Sequence, residues 1–158
     1  MIVDAYTHIL PAGYQAMLEE KITDRDMSLN SARYAQTIPT LVDLEARFRV
    51  MDDFDEYIQV ISVASPPVHS IAPPAVAAEL CRAANDELAE MVLKYPHRFA
   101  AGIATLPMND MDSALKEAQR AIKDLRLRAV ELYTDINGQP LDAPQFMPLY
   151  EMMAELDR

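Results

Sequence analysis

The chain has 158 residues, 51% of them apolar and 25% charged, which is enough for one soluble domain with a real hydrophobic core. Its formal net charge of −11, with no basic stripe, argues against a nucleic-acid backbone as partner. No apolar run of the roughly eighteen residues needed to span a membrane exists. Met1-Ile2-Val3-Asp4 lacks the basic patch and apolar core of a secretory leader, and the single Cys81 cannot close an internal disulfide, so a reducing cytoplasm is expected.

Ile2 to Ala5 is a short apolar run ending in Tyr6-Thr7-His8 and then Pro11, the pattern of a buried strand with chemistry at its C-terminal end. Residues 12 to 40 show no clean period and read as a long loop insertion, with a short helix around Ala16, Met17 and Leu18. The helical period returns at Thr40, the expected N-cap, with Leu41, Leu44, Phe48 and Met51 on one face. Tyr57 to Ala64 is too apolar for a surface strand and suits a parallel sheet covered on both sides; Ser65-Pro66-Pro67 stops it.

The longest helix is expected from Pro73-Pro74 to about Lys94, with Val76, Leu80, Ala84, Leu88 and Met91 as its buried stripe. Arg98 to Leu106 is a third strand. Asn109 is expected to cap the next helix, whose stripe is Ala114, Leu115, Ala118, Ala121, Ile122 and Leu125. Ala129 to Tyr133 is a fourth strand, followed by the turn Asn137-Gly138 and a last helix from about Gln145.

Strands alternating with helices imply right-handed crossovers and a parallel sheet, hence an α/β fold. Gly13, Gly102 and Gly138 are the only glycines, and no Gly-x-Gly-x-x-Gly follows a strand, which argues against a dinucleotide-binding fold. In the first strand, alternation puts Asp4, Tyr6 and His8 on one side. An imidazole there suits a divalent metal with an open position for water or substrate. Taken alone, a histidine after a strand fits a hydrogen-bonded structural role better than a metal ligand.

Asp4-Ala5-Tyr6-Thr7-His8-Ile9-Leu10-Pro11 resembles the Asp-x-His-x-His-x-x-Pro signature of the amidohydrolase superfamily. Arg49-Val50-Met51-Asp52, Asn85-Asp86-Glu87-Leu88-Ala89, Tyr95-Pro96-His97-Arg98-Phe99, Ala104-Thr105-Leu106-Pro107, Ala129-Val130-Glu131-Leu132 and Asn137-Gly138-Gln139-Pro140-Leu141-Asp142 are similar to its decarboxylase branch. That branch holds aminocarboxymuconate-semialdehyde and hydroxybenzoate decarboxylases. The resemblance implies a TIM-barrel type (β/α) fold, of which residues 1 to 158 are about the first four β/α units, the N-terminal half of one (β/α)8 domain. A complete barrel takes about 250 residues.

The resemblance also implies a divalent metal, zinc by expectation with manganese as the alternative, and a small anionic carboxylic acid as substrate. His8 matches a metal histidine. Tyr6 stands where the family has its first metal histidine, and is expected to bind as phenolate or to hydrogen-bond a metal-bound water. The later metal ligands and the catalytic histidine of the family fall beyond Arg158, so the catalytic residues are not identified here. Arg33 could hold the substrate carboxylate, as the branch's loop arginine does, or be an exposed loop residue. His69, Thr134 and Asn137 follow strands on the catalytic side and are candidates to line the pocket; for His69 a solvent-facing role is as well supported. Decarboxylation is favoured over hydrolysis. The alternative is a non-catalytic half-barrel module that completes itself by homo-oligomerisation or with a complementing C-terminal half.

Overall fold

A computed structural model describes residues 1–22 and 37–156. In chain order they form strand β1 (Ile2–Ile9), helix α1 (Ala12–Lys21), helix α2 (Leu44–Met51), strand β2 (Tyr57–Val63), the single-turn helix α3 (Val68–Ile71) and helix α4 (Pro74–Lys94). Strand β3 (Phe99–Ala104), helix α5 (Met111–Lys123), strand β4 (Ala129–Val130), the short strands β5 (Asp135–Ile136) and β6 (Gln139–Pro140), and helix α6 (Met147–Glu155) follow. The sheet runs β1-β2-β3-β4 with every neighbouring pair parallel, as the alternating sequence pattern requires. Backbone bonds from Arg128 to Gly102 and from Glu131 to Ala104, 2.9 and 2.8 Å, extend the β3–β4 pairing beyond the two residues of β4 proper.

α4 forms where its composition says it should. Proline within its first turn needs no donor there, since the first helical N–H groups are orphans anyway. Its stripe of Ala77, Leu80, Ala84 and Leu88 is wholly buried against the sheet, joining Ile61, Val63, Phe99 and Ala104 in the main core. Full burial of each leucine contributes about 1.5–3 kcal/mol. At Gly102 of β3 the packing is closest: a β-carbon there would stand 2.7 Å from Leu127 Cδ2 and 3.7 Å from Leu88 Cβ. A second core joins α5, α6 and the β5–β6 ribbon through Leu106, Ala118, Ile136, Phe146 and Leu149. The ribbon turns at Asn137 and Gly138, both at positive φ (51° and 77°), the conformation an Asn-Gly pair favours.

Two caps differ from the sequence expectation. Asp43, not Thr40, caps α2: its carboxylate accepts from the amides of Glu45 and Ala46 at 2.8 and 3.1 Å. Thr40 lies instead in a 3₁₀ turn, Pro39–Leu41. Asp110, not Asn109, precedes α5 and accepts the Ser113 hydroxyl at 2.6 Å. The Asn109 amide donates to the carbonyls of Ala72 and His69 at 2.9 and 3.3 Å, tying the loop after β3 to α3. The helix anticipated around residues 16–18 extends over Ala12–Lys21, and its first amides are held from another element: Gly13 and Tyr14 donate to the Glu87 carboxylate of α4 at 2.9 and 2.5 Å.

β1 departs from strict alternation. Its register on β2 shifts between Asp4, opposite Gln59, and Thr7, opposite Ile61, so three steps of β1 match two of β2. Such a bulge moves every side chain before it to the other face. Asp4 therefore shares the helix-covered face with Tyr57 and Gln59, and accepts the Tyr57 hydroxyl at 2.6 Å. Tyr6 and His8 stay on the opposite face. The anticipated convergence of Asp4 with them does not occur. The early part of β1 is uncovered: Ile2 and Val3 are about half exposed and Tyr6 is 80% exposed.

Candidate active site

Register and period two put His8, Ser62 and Glu131 on the sheet face turned away from the helices, while Ile61, Gly102 and Val130 pack toward them. The three polar groups meet. His8 Nδ1 lies 2.8 Å from Ser62 Oγ, Ser62 donates to Glu131 Oε1 at 3.3 Å, and His8 Nδ1 stands 4.0 Å from the same carboxylate oxygen. Burial raises the Glu131 carboxyl above its ordinary value, while His8 and the serine hydrogen bond draw it back. The Tyr6 ring meets His8 edge to face, with centroids 4.8 Å apart.

Above this cluster, at the C-terminal ends of the strands, Tyr133 stands two residues beyond Glu131. Its hydroxyl lies 3.5 Å from Ser65 Oγ, and its ring meets His69 at 6.0 Å, nearly perpendicular. His69 is buried, not solvent-facing; burial lowers its imidazole pKa, with Asp135 acting weakly in the opposite sense. Burial likewise raises the Tyr133 phenol.

The strand end that carries His8 is fixed from the helix side. Arg47 of α2, 5% exposed, donates from its two terminal nitrogens to the His8 carbonyl and to Gln59 Oε1, the latter at 2.7 Å, and from Nε to the Thr40 carbonyl at 2.9 Å. Desolvation lowers the Arg47 guanidinium pKa, but nearby Tyr57 and Asp4 favour its charge. Gln59 passes the connection on to the Tyr57 hydroxyl at 3.1 Å and so to Asp4.

Of the residues expected at the site, the structure brings His8, Tyr6 and His69 to this end of the sheet. Thr134 and Asn137 are exposed, the latter in the tip of the β5–β6 ribbon. Arg33 lies outside the described residues. Sequence reasoning misses Ser62, Glu131 and Tyr133 as site residues. A signal exists for the first two, since a serine within Val60-Ile61-Ser62-Val63 and a glutamate within Ala129-Val130-Glu131-Leu132 are polar groups in strands that should be dry.

Among the described residues no group of three or more His, Cys, Asp or Glu converges as a metal site. A catalytic zinc ordinarily takes three protein ligands. His8 fits as one such donor, because the hydrogen bond at Nδ1 leaves Nε2 uncommitted, but the described residues do not complete a site by themselves. Nor is any described helix long and apolar enough to cross a membrane.

A parallel sheet in the order β1-β2-β3-β4, covered by helices on one face and carrying a polar cluster at the C-terminal strand ends on the other, fits the TIM-barrel type, whose active sites sit there. The chain belongs to the amidohydrolase family, whose profile matches residues 3–158. It is 34% identical over 145 residues to the gamma-resorcylate decarboxylase of Polaromonas sp. strain JS666, covering 87% of this chain and 43% of that protein. To the 2-amino-3-carboxymuconate-6-semialdehyde decarboxylase of Dictyostelium discoideum it is 26% identical, over 98% of this chain and 46% of that protein. The chain thus spans about half the length of the curated relatives it matches.

Among solved structures it is similar to the Polaromonas dihydroxybenzoic acid decarboxylase with bound manganese and 2-nitroresorcinol, at TM-score 0.74 and 30% identity, over 99% of this chain and 47% of that chain. It is also similar to 5-carboxyvanillate decarboxylase from Sphingomonas paucimobilis, at TM-score 0.81 and 27% identity, over 98% of this chain and 49% of that chain.

Proposed function

We propose that these residues form the first four β/α units of a (β/α)8-barrel decarboxylase that removes carboxylate from a small aromatic acid with the help of a divalent metal. One observation carries the reading. His8, Ser62 and Glu131 form a polar cluster on the inward sheet face, in a chain that resembles a manganese-containing dihydroxybenzoic acid decarboxylase over nearly all its length. That relative moves the preferred metal from zinc to manganese. His8 would hold the ion through Nε2, with Tyr6 beside it as a further ligand or as a donor to bound water. When bound, the ion supplies charge that polarises a substrate oxygen. Tyr133, backed by the buried His69, then offers an aromatic surface against which a planar ring can rest.

The uncovered part of β1, where Ile2 and Val3 are about half exposed, supports closure against further strands, from the same polypeptide or from another chain. The test uses the intact protein: manganese per barrel measured by elemental analysis, and carbon dioxide release from 2,6-dihydroxybenzoate and related acids. About one ion per barrel, lost in His8→Ala, with release from at least one such acid, is expected. Full metal content in His8→Ala, or no release from any of them, overturns the reading. Tyr6→His is expected to tighten manganese binding; unchanged affinity would remove Tyr6 from the ligand set.

A further inference from the structure

We propose that Ser62 and Glu131 are positioning residues that fix His8 as its Nδ1–H tautomer, so that Nε2 alone presents a lone pair to the barrel interior. The inference rests on the reading of His8 as a metal ligand, and adds how the sequence prepares it.

The chain of hydrogen bonds has a direction. A carboxylate can only accept, and Ser62 has a single hydroxyl hydrogen. That hydrogen goes to Glu131 Oε1 at 3.3 Å. With it spent, Ser62 Oγ can meet His8 Nδ1, 2.8 Å away, only as an acceptor. In this arrangement Nδ1 carries the proton, and in the neutral ring Nε2 is bare. A serine alone would not do this, because its hydroxyl can turn to donate to Nδ1 and leave the proton on Nε2, which cannot then bind a metal. The buried acidic partner removes that freedom.

The geometry is also held. Ser62 is 3% exposed, so water does not compete freely at the middle of the relay. It sits on β2 directly opposite His8 on β1, and β4 brings Glu131 from two strands away. Arg47 fixes the His8 carbonyl from the other side of the sheet, so the ring pivots on a restrained backbone. The Tyr6 ring meets the imidazole edge to face. Orientation of a ligand histidine through its second nitrogen is a general requirement of metal sites, and loss of such a partner typically lowers metal affinity about 10- to 100-fold.

The test reads the tautomer itself. The intact metal-free protein, labelled with ¹⁵N-histidine and studied at a pH where the ring is neutral, gives separate Nδ1 and Nε2 shifts; His8→Ala assigns them. Wild type is expected to show Nδ1 protonated and Nε2 bare. Glu131→Gln keeps the size and removes the one-way acceptor; its amide can donate to Ser62, so a substantial population of the Nε2–H form is expected. Should Glu131→Gln fold poorly, Ser62→Ala removes the middle of the relay and is expected to give the same shift. Manganese affinity, titrated separately, should fall about 10- to 100-fold in Glu131→Gln.

A wild-type ring protonated at Nε2, or a tautomer balance unmoved in both variants, overturns the proposal. The two readings come apart in the data. A relay that behaves as expected in a protein that binds no manganese through His8 sustains the tautomer assignment and removes the metal reading. Loss of manganese in His8→Ala with an unmoved tautomer in Glu131→Gln does the reverse.

Discussion

Replacing Arg47 with methionine tests whether the buried guanidinium holds the C-terminal end of β1 or is merely tolerated there. The side chain keeps most of its length and an apolar stem, so the change isolates charge and hydrogen bonding. Three donors are lost, to the His8 carbonyl, the Thr40 carbonyl and Gln59 Oε1. Leaving each such acceptor unpaired costs about 1–3 kcal/mol, or about 3–9 kcal/mol for three. Against this stands relief of the desolvation carried by a cation that is 5% exposed, an effect of several kcal/mol. Among the described residues the guanidinium has no carboxylate in direct contact; Asp4 is linked to it through Tyr57 and Gln59 and favours its charge from a distance. The effects oppose each other and the hydrogen bonds win by about 2–4 kcal/mol, a large part of a typical domain's stability. The assay is urea denaturation of the intact protein, where a fall in midpoint on the order of 1 M at unchanged slope is expected. An Arg47→Met variant as stable as wild type, within about 0.5 kcal/mol, would defeat this account, since desolvation would then equal everything the hydrogen bonds contribute.

Glu87→Ala should cost about 1–2 kcal/mol, because it uncaps the Gly13 and Tyr14 amides at the positive end of α1; denaturation midpoints check it. Gly102→Ala should destabilise by about 1–3 kcal/mol through overpacking, since the new methyl meets buried Leu127 at 2.7 Å; additional truncation of Leu127 should recover part of the loss. His69 has its folded-state pKa lowered by burial, so the unfolded chain binds the proton more readily. Its contribution is therefore full above the ordinary histidine value of about 6.5 and is lost as pH falls through and below it. His69→Phe should flatten that part of the stability–pH curve, and an unchanged slope would assign the acid sensitivity elsewhere.

The order of elements is legible in the sequence because periodicity is strong where a helix lies on a buried parallel sheet. Leu80, Ala84 and Leu88 repeat at helical spacing in α4, and Tyr57 to Val63 is almost uniformly apolar, so both elements fall where the pattern puts them. The caps are less legible. Thr40 and Asp43 are both competent oxygen acceptors before an apolar period, and Asn109 and Asp110 likewise; the choice depends on where the preceding loop delivers the chain, which is a tertiary matter. The bulge at Ala5 and Tyr6 leaves no mark at all. Alternation in Asp4-Ala5-Tyr6-Thr7-His8 is satisfied equally by a regular strand, and only the pairing with β2 shows that Asp4 has crossed to the other face.

That crossing explains why the candidate site is only half visible in the sequence. A family-like segment suggests one line of side chains, whereas the folded strand divides it between two tasks. Asp4 joins Tyr57, Gln59 and Arg47 in a network on the helix side that ends on the His8 carbonyl, and His8 itself faces Ser62 and Glu131 on the inward side. The backbone of one residue is thus held by one polar network and its ring by another, with the sheet between them. Ser62 and Glu131 are hard to pick out because each is a single polar residue in an apolar run, separated by 69 positions along the chain. Only the parallel order β1-β2-β3-β4 and its register bring them to the same face as His8. A polar residue inside a strand whose neighbours demand burial needs a partner, and in a parallel sheet that partner is sought on the inward face of the strands beside it.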